Sequence, residues 1–173
     1  IHERLVGSEM CIRDRFKTAT DSEVLLHGYE EYGTGLLNKL RGMFAFVIWD
    51  KEKRELFGAR DIFGIKPLYY AKMGQTLMFG SEIKSFLHHP HFQKELNEKA
   101  LESYLSFQYS PGPETFFKNV YKMPPAHWFR YKGGKMEITR YWLPTFQAEE
   151  DKSLDYWVDE IEKTFDDSCL LYT

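Results

Sequence analysis

Apolar and aromatic positions first fall into register at Val24, Leu25, Tyr29 and Tyr32, with Gly28 on the same stripe. That is helical spacing. Thr20-Asp21-Ser22-Glu23 stands just ahead with the spacing of a capping box, so Thr20 is expected to cap the helix and Glu23 to reach back. Gly33 is expected to stop it. Leu36, Leu37 and Leu40 mark a second, shorter helical stretch. The pattern then changes to a continuous apolar run, Met43 to Trp49, short enough for a strand buried on both faces. The charged turn Asp50-Lys51-Glu52-Lys53-Arg54 leads to a partner strand over Glu55–Ala59, which gives a hairpin. A second hairpin is expected from Pro67–Ala71 and Thr76–Phe79 around Met73-Gly74-Gln75.

Ser81 is placed to cap a short helix through Phe86 and Leu87, and Asn97 to cap an amphipathic helix carrying Ala100, Leu101, Tyr104 and Leu105. Pro111-Gly112-Pro113 breaks the latter. A further hairpin runs from His127–Tyr131 through Gly133-Gly134 to Met136–Trp142, since paired glycines supply the positive φ of a tight turn. Pro144–Glu150 reads as a linker. Leu154, Trp157, Val158, Ile161 and Phe165 then define a last helix whose apolar face lacks a sequence-adjacent partner. Helices on either side of antiparallel hairpins give an α+β class. There is no internal repeat and no low-complexity tract.

Composition narrows the function classes. The chain has 173 residues, a formal charge of −3, and 17% aromatic residues. The aromatic content supports a packed core. Near-neutral charge argues against nucleic-acid binding through phosphate contacts. No apolar run approaches the ~20 residues of a membrane helix, and no signal peptide is visible.

The two ends encode a shared DNA string. Met10-Cys11-Ile12-Arg13-Asp14-Arg15 can be read from DNA containing TGTGTATAAGAGACA. Cys169-Leu170-Leu171-Tyr172-Thr173 can be read from its reverse complement. The string is similar to a transposase sequencing adapter, which Leu5 to Glu9 continue in frame. Residues 1–15 and 169–173 are therefore expected to be adapter-derived or non-native. Cys11 and Cys169 are the only cysteines. Setting them aside removes a disulfide framework, a thiolate metal site and a cysteine nucleophile from the expectations.

Taken alone, the remaining residues suggest little chemistry. His88-His89-Pro90-His91 lacks further ligand spacing and reads as a solvated loop, so no metal site is expected. No G-x-x-x-x-G-K-[ST] phosphate loop occurs. Arg60-Asp61 reads either as an active-site pair or as a structural clamp at a strand end, the clamp being favoured. Asp21 in the first helical turn suits the helix dipole without further function.

Four segments together carry a resemblance. Thr20-Asp21-Ser22-Glu23-Val24, Leu40-Arg41-Gly42-Met43-Phe44-Ala45-Phe46, Arg60-Asp61-Ile62-Phe63-Gly64-Ile65-Lys66-Pro67-Leu68-Tyr69-Tyr70 and Gly80-Ser81-Glu82-Ile83-Lys84 occur in that order. This arrangement resembles class II glutamine amidotransferases, and within them the glutaminase domain of the asparagine synthetase family. Thr115–Val120 with Pro124-Pro125-Ala126-His127 is similar to that family's link toward its synthetase domain.

The resemblance implies a partial four-layer αββα Ntn-type sandwich over residues 16–146. Residues 147–168 would be a linker and the first helix of an α-rich, ATP-dependent synthetase domain. It implies a cytoplasmic enzyme using glutamine, aspartate and ATP with Mg²⁺, and a homodimer as a candidate assembly. In such enzymes an N-terminal cysteine attacks the glutamine amide with its own α-amine as base. An Asn-Gly pair supplies oxyanion donors, an arginine holds the α-carboxylate, and ammonia passes through a tunnel to adenylated aspartate.

Carried over residue by residue, the resemblance assigns Asp21 to the α-ammonium of bound glutamine. It leaves Arg60, Asp61, Gly64, Pro67, Ser81 and Glu82 as structural signature positions. The catalytic cysteine, the Asn-Gly-Glu segment and the Ser-Gly-Gly-x-Asp-Ser pyrophosphate loop have no counterpart in the sequence. His2-Glu3-Arg4-Leu5 is similar to the segment holding the carboxylate-binding arginine, but stands too near Asp21 for that role to transfer. The chain by itself is thus expected to be inactive. A secondary-pathway amidotransferase and a non-catalytic binding domain are the competing readings.

Overall fold

The computed structural model describes residues 16–18, 20–146 and 152–169. They fall into two compact units that divide between Trp142 and Leu143. Residues 1–15 and 170–173, with the adapter expectation attached to them, lie outside the described residues.

In the first unit, helix α1 (Asp21–Tyr32) buries Val24, Gly28 and Tyr29 along one stripe and ends at Gly33, whose φ is +55°. A 3-10 stretch over Gly33–Asn38 follows and buries Leu36 and Leu37. The close approach of the two explains the glycine on the helical stripe. A Cβ at Gly28 would stand 2.5 Å from Leu36 Cδ1.

Seven strands form two antiparallel sheets. β1 (Ala45–Asp50), β2 (Glu55–Arg60), β6 (His127–Lys132) and β7 (Lys135–Arg140) make a four-stranded sheet in the order β1-β2-β6-β7. β3 (Tyr69–Met73), β4 (Thr76–Gly80) and β5 (Val120–Lys122) make a three-stranded sheet in the order β4-β3-β5. The α+β class with antiparallel sheets is therefore as the sequence predicts. Three predicted hairpins are present as β1–β2, β3–β4 and β6–β7. The last turns on Gly133 and Gly134, with φ of +56° and +81°.

Strand β5 is absent from the sequence reading, which takes its region as part of a connection. Three residues are too few to show alternation. Val120 is nevertheless almost fully buried and pairs with Ala71.

Alternation places one face of the four-stranded sheet against α1. Tyr29, Leu36, Leu37, Ile48, Phe57 and Ala59 form that core, with the Tyr29 and Phe57 rings stacked at 5.0 Å. The opposite face meets the three-stranded sheet through Val47, Leu56, Phe129 and Tyr131 on one side and Tyr70 on the other. The far face of the smaller sheet is closed by Ala71, Met73, Met78 and Val120 against Phe86, Phe92 and Phe117. Strand β1 has packing on both faces, Phe46 and Ile48 toward α1 and Ala45 and Val47 toward the smaller sheet. As an edge strand it buries only Ile48 fully and leaves Trp49 exposed, so the expectation of a strand buried on both faces holds only in part.

Helix α2 (Glu98–Phe107) buries Ala100 and ends at Gln108 in the left-handed region, ahead of the Pro-Gly-Pro break. The second unit contains helix α3 (Leu154–Cys169), none of whose residues is buried. Leu154, Ile161 and Phe165 are each about two-thirds exposed or more. Among the described residues no helix is long and apolar enough to cross a membrane.

Candidate functional site

Helix dipole and sequence pattern place acidic residues at the start of α1, and their side chains behave differently from a capping box. Thr20 occupies the N-cap position with extended backbone, but its side chain makes no cap hydrogen bond. Glu23 does reach back, yet past Thr20. Its carboxylate accepts bonds from the Lys17 amide at 2.8 Å, the Thr18 amide at 2.7 Å and the Thr18 hydroxyl at 2.5 Å. The Thr18 and Thr20 hydroxyls also meet, at 3.0 Å. The Thr18 hydroxyl and the Lys17 amide hold the Glu23 carboxyl down to a pKa of about 2. His27 lies 3.6 Å from Glu23 and 3.1 Å from Glu30, and the Phe16 ring packs edge-on against it. The segment leading into α1 is thus folded back along the first two turns.

Asp21 stands at the mouth of this arrangement. It is exposed, and its carboxylate has no hydrogen bond or ion pair among the described residues. Its favourable position in the helix dipole remains, but it caps no amide of its own helix.

The second arrangement is built on Arg60 and Asp61 at the end of β2. Both are buried, at 6% and 1% exposure. Arg60 donates through Nε to the Lys66 carbonyl at 2.8 Å, through Nη1 to the Met123 carbonyl at 2.6 Å, and through Nη2 to the Gly64 carbonyl. Asp61 accepts from the Ile65 amide on one oxygen and the Lys66 amide on the other, both at 2.9 Å. The two side chains grip opposite polarities of the same loop. Burial lowers the Arg60 pKa, with Asp61 and Tyr69 offsetting it. Gly64 has a φ of +66°, and a Cβ there would stand 2.9 Å from Pro125 and 3.0 Å from the Arg60 guanidinium.

Tyr141 completes this cluster. Its hydroxyl donates to the Arg60 carbonyl at 2.8 Å and its amide to the Ala126 carbonyl at 2.9 Å. Burial, with Asp61 adding to it, pushes its pKa up to about 12. Nothing in the sequence pattern marks Tyr141, because its partner Arg60 lies 81 residues away. The loop so fixed presents Phe63 and Ile65 outward, with the Phe63 ring edge-on to Trp142 at 5.9 Å.

The other signature positions are simpler. Pro67 is exposed in the same loop. Ser81 does not cap the following turn. Glu82 holds that position, the turn is 3-10 over Ile83–Phe86, and neither residue makes a side-chain cap bond. Glu82 instead pairs with Lys84. The local reason is that the Ser85 amide, which a cap would accept from, already donates to the Glu82 carbonyl at 3.2 Å. Asn97 stands at the N-cap of α2 but makes no side-chain cap bond, and its side-chain NH2 donates to the Thr115 carbonyl at 3.1 Å.

His89 and His91 pack ring against ring, and His91 Nδ1 meets the Thr76 hydroxyl at 2.9 Å. His91, Lys72, Gln93 and Asn119 line an open recess of about 510 Å³ beside the β3–β4 turn. It shares no residue with the Asp21 or Arg60 arrangements. Among the described residues no group of three or more His, Cys, Asp or Glu side chains could hold a metal ion.

A family pattern described as glutamine amidotransferase domain matches residues 5–142, which takes in both arrangements. The chain belongs to this family. It is 36% identical over 155 residues to asparagine synthetase [glutamine-hydrolyzing] 3 of Bacillus subtilis, covering 89% of this chain and 25% of that protein. It is 43% identical over 141 residues to asparagine synthetase [glutamine-hydrolyzing] 1 of the same organism, covering 79% and 22%. Amidase chry2 of Gibberella zeae is 37% identical over 134 residues, covering 76% and 19%. The chain thus spans about a quarter or less of the length of these relatives.

Proposed function

We propose that the chain is the glutamine-binding part of a glutamine-hydrolysing asparagine synthetase, and that Asp21 receives the α-ammonium of glutamine. The observation that carries this is the exposed Asp21 carboxylate, without a partner among the described residues, at the start of a helix whose lead-in is fixed by Glu23. Membership of the amidotransferase family and relatives named asparagine synthetase support the reaction. In the whole enzyme a cysteine thiolate would attack the glutamine amide, and the ammonia released would convert ATP-activated aspartate to asparagine. The other products are glutamate, AMP and diphosphate.

The sequence has no G-x-x-x-x-G-K-[ST] loop, and the described residues hold no metal-ligand cluster. Under this reading ATP and Mg²⁺ would bind in the synthetase domain of the whole enzyme. The same reading makes the two sheets the inner layers of a four-layer αββα sandwich and α3 the first helix of a synthetase domain. It also places the enzyme in the cytoplasm.

The test uses the complete reading frame of the source locus. Asp21→Ala is expected to lower glutamine-dependent synthesis and spare synthesis from free ammonia, which bypasses the glutamine pocket. A hydrogen bond to a charged group contributes ~1.5–3 kcal/mol, which at ~1.4 kcal/mol per decade is a roughly ten- to hundredfold loss of glutamine efficiency. If Asp21 serves only the helix dipole, both nitrogen sources change equally and slightly. Equal loss, or none, removes Asp21 from the pocket.

A second reading, an amidotransferase of a secondary pathway, is favoured by one observation, the likeness to a protein named an amidase. Under that reading glutamine dependence on Asp21 persists while aspartate fails as the acceptor. A non-catalytic binding domain would show no turnover with either nitrogen source.

A further inference from the structure

We propose that Glu23 is a positioning residue for glutamine use, holding the Asp21 carboxylate in place by tying Lys17 and Thr18 to the first turn of α1; this rests on the assignment of Asp21 to the glutamine ammonium.

Asp21 is the first residue of α1, and among the described residues no side chain bonds its carboxylate. The direction of its carboxylate therefore depends on the backbone that enters the helix. That backbone has little else to fix it. The Thr20 side chain makes no cap bond, and the first-turn amides of a helix have no partners within the helix. The Glu23 carboxylate supplies what is missing. Three donors of the lead-in segment converge on it: the Lys17 amide on Oε1, and the Thr18 amide and hydroxyl on Oε2. The Thr18 hydroxyl passes the restraint on to the Thr20 hydroxyl at 3.0 Å, one residue before Asp21. The Glu23 amide closes the turn on the Thr20 carbonyl at 3.1 Å. Asp21 thus stands between a restrained residue before it and a closed turn after it, with its own carboxylate unbonded among the described residues.

The chemistry suits a positioning role better than a binding one. An ionised carboxylate accepts hydrogen bonds only, and both Glu23 oxygens already face donors of the chain's own backbone. Its pKa of about 2 keeps it ionised wherever the enzyme works, so the tether does not switch with pH near neutrality. Glu23 has little acceptor capacity aimed outward for a substrate ammonium, whereas Asp21 has all of it. A ligand carboxylate that is well aimed before binding loses less on binding than one that must first be ordered.

The experiment uses the complete reading frame and four variants: Glu23→Gln, Thr18→Val, Asp21→Ala, and the double variant Asp21→Ala with Glu23→Gln. Gln keeps the shape of Glu23 but places an amide nitrogen opposite backbone donors. Glu23→Gln is expected to raise KM for glutamine by less than the roughly ten- to hundredfold loss set for Asp21→Ala, because it misaims that carboxylate rather than removing it. The rate at saturating glutamine and the ammonia-dependent rate should be retained. Thr18→Val should act in the same direction and less strongly. In the Asp21→Ala background Glu23→Gln should add nothing further, because its effect passes through Asp21.

Equal losses with glutamine and ammonia in Glu23→Gln would make Glu23 merely structural and overturn the proposal. So would an unchanged glutamine KM in Glu23→Gln beside a raised one in Asp21→Ala, which leaves the Asp21 reading intact. An additive loss in the double variant would show that Glu23 acts by another route. If Asp21→Ala itself leaves glutamine use unchanged, the underlying reading fails and this inference falls with it.

Discussion

Replacing Arg60 by methionine isolates the interaction that shapes the loop after β2. Methionine keeps the unbranched apolar stem and removes the three donors that hold the Gly64, Lys66 and Met123 carbonyls. The Met123 carbonyl is in a buried setting, so leaving it unpaired costs ~1–3 kcal/mol. The Gly64 and Lys66 carbonyls are only part-buried and can turn to water, so each contributes ~0.5–1.5 kcal/mol. Burial already penalises the guanidinium, as the lowered Arg60 pKa shows, and losing it returns part of the cost. The net loss is about 3 kcal/mol, and breaking buried charged contacts from one side only is destabilising on this scale. At ~2–4 °C per kcal/mol for a chain of this size, the melting temperature should fall by roughly 6–12 °C. Thermal unfolding followed by circular dichroism measures it, and hydrogen exchange at Ile65 and Lys66 locates it. Arg60→Lys should recover less than half, because one ammonium cannot span three carbonyls with a planar fork. A melting temperature within ~2 °C of the parent for Arg60→Met would refute the clamp as an energetic feature.

Gly58→Ala should destabilise the sheet by ~1–3 kcal/mol, the usual cost of overpacking, since the new Cβ would stand 2.3 Å from the Phe129 ring and 2.9 Å from the Phe46 carbonyl. Chemical denaturation measures it, and an unchanged midpoint would mean the two sheets slide apart freely. Tyr141, raised to about 12, should be among the last tyrosines to ionise in a spectrophotometric titration. Its neutral form is the one the fold favours. The stability it adds is therefore full below the unfolded value of ~10 and is lost as pH rises toward the folded value. Tyr141→Phe should flatten stability over that alkaline window, and an unchanged alkaline limb would sink the assignment.

The elements legible in the sequence are those whose signal is local. The Gly133-Gly134 turn, the charged β1–β2 turn and the α1 stripe each need only neighbours in the chain to be recognised. The capping residues were legible as positions but not as bonds. Thr20, Glu82 and Asn97 stand at helix starts without a side-chain cap bond, and their side chains meet Thr18, Lys84 and the Thr115 carbonyl instead. Arg60-Asp61 shows as a charged pair at a strand end, while its partners do not, because Met123 lies 63 residues on. Val120–Lys122 was invisible as a strand for a similar reason: its identity comes from pairing with β3, not from its own alternation. At the glutamine-binding candidate, sequence identifies Asp21 and Glu23, and only the fold separates a carboxylate with three donors from one with none among the described residues.

The amide of Ala126 donates to the carbonyl of Asp61 at 2.9 Å. These residues bracket the whole excursion that leaves β2 and returns as β6, two strands that lie side by side. The three-stranded sheet and α2 therefore lie on one excursion whose ends are tied at a neck, while that sheet also packs on the larger one. Closure entropy grows only logarithmically with loop length, so doubling such an excursion adds about 0.6 kcal/mol. Length changes in the exposed turns of residues 87–95 or 108–114 should thus leave the neck and the β2–β6 register untouched. One residue inserted between His127 and Arg140 would instead turn every side chain of a strand to the wrong face. Within one domain the fold thus separates a stretch free to vary in length from a stretch that must keep count.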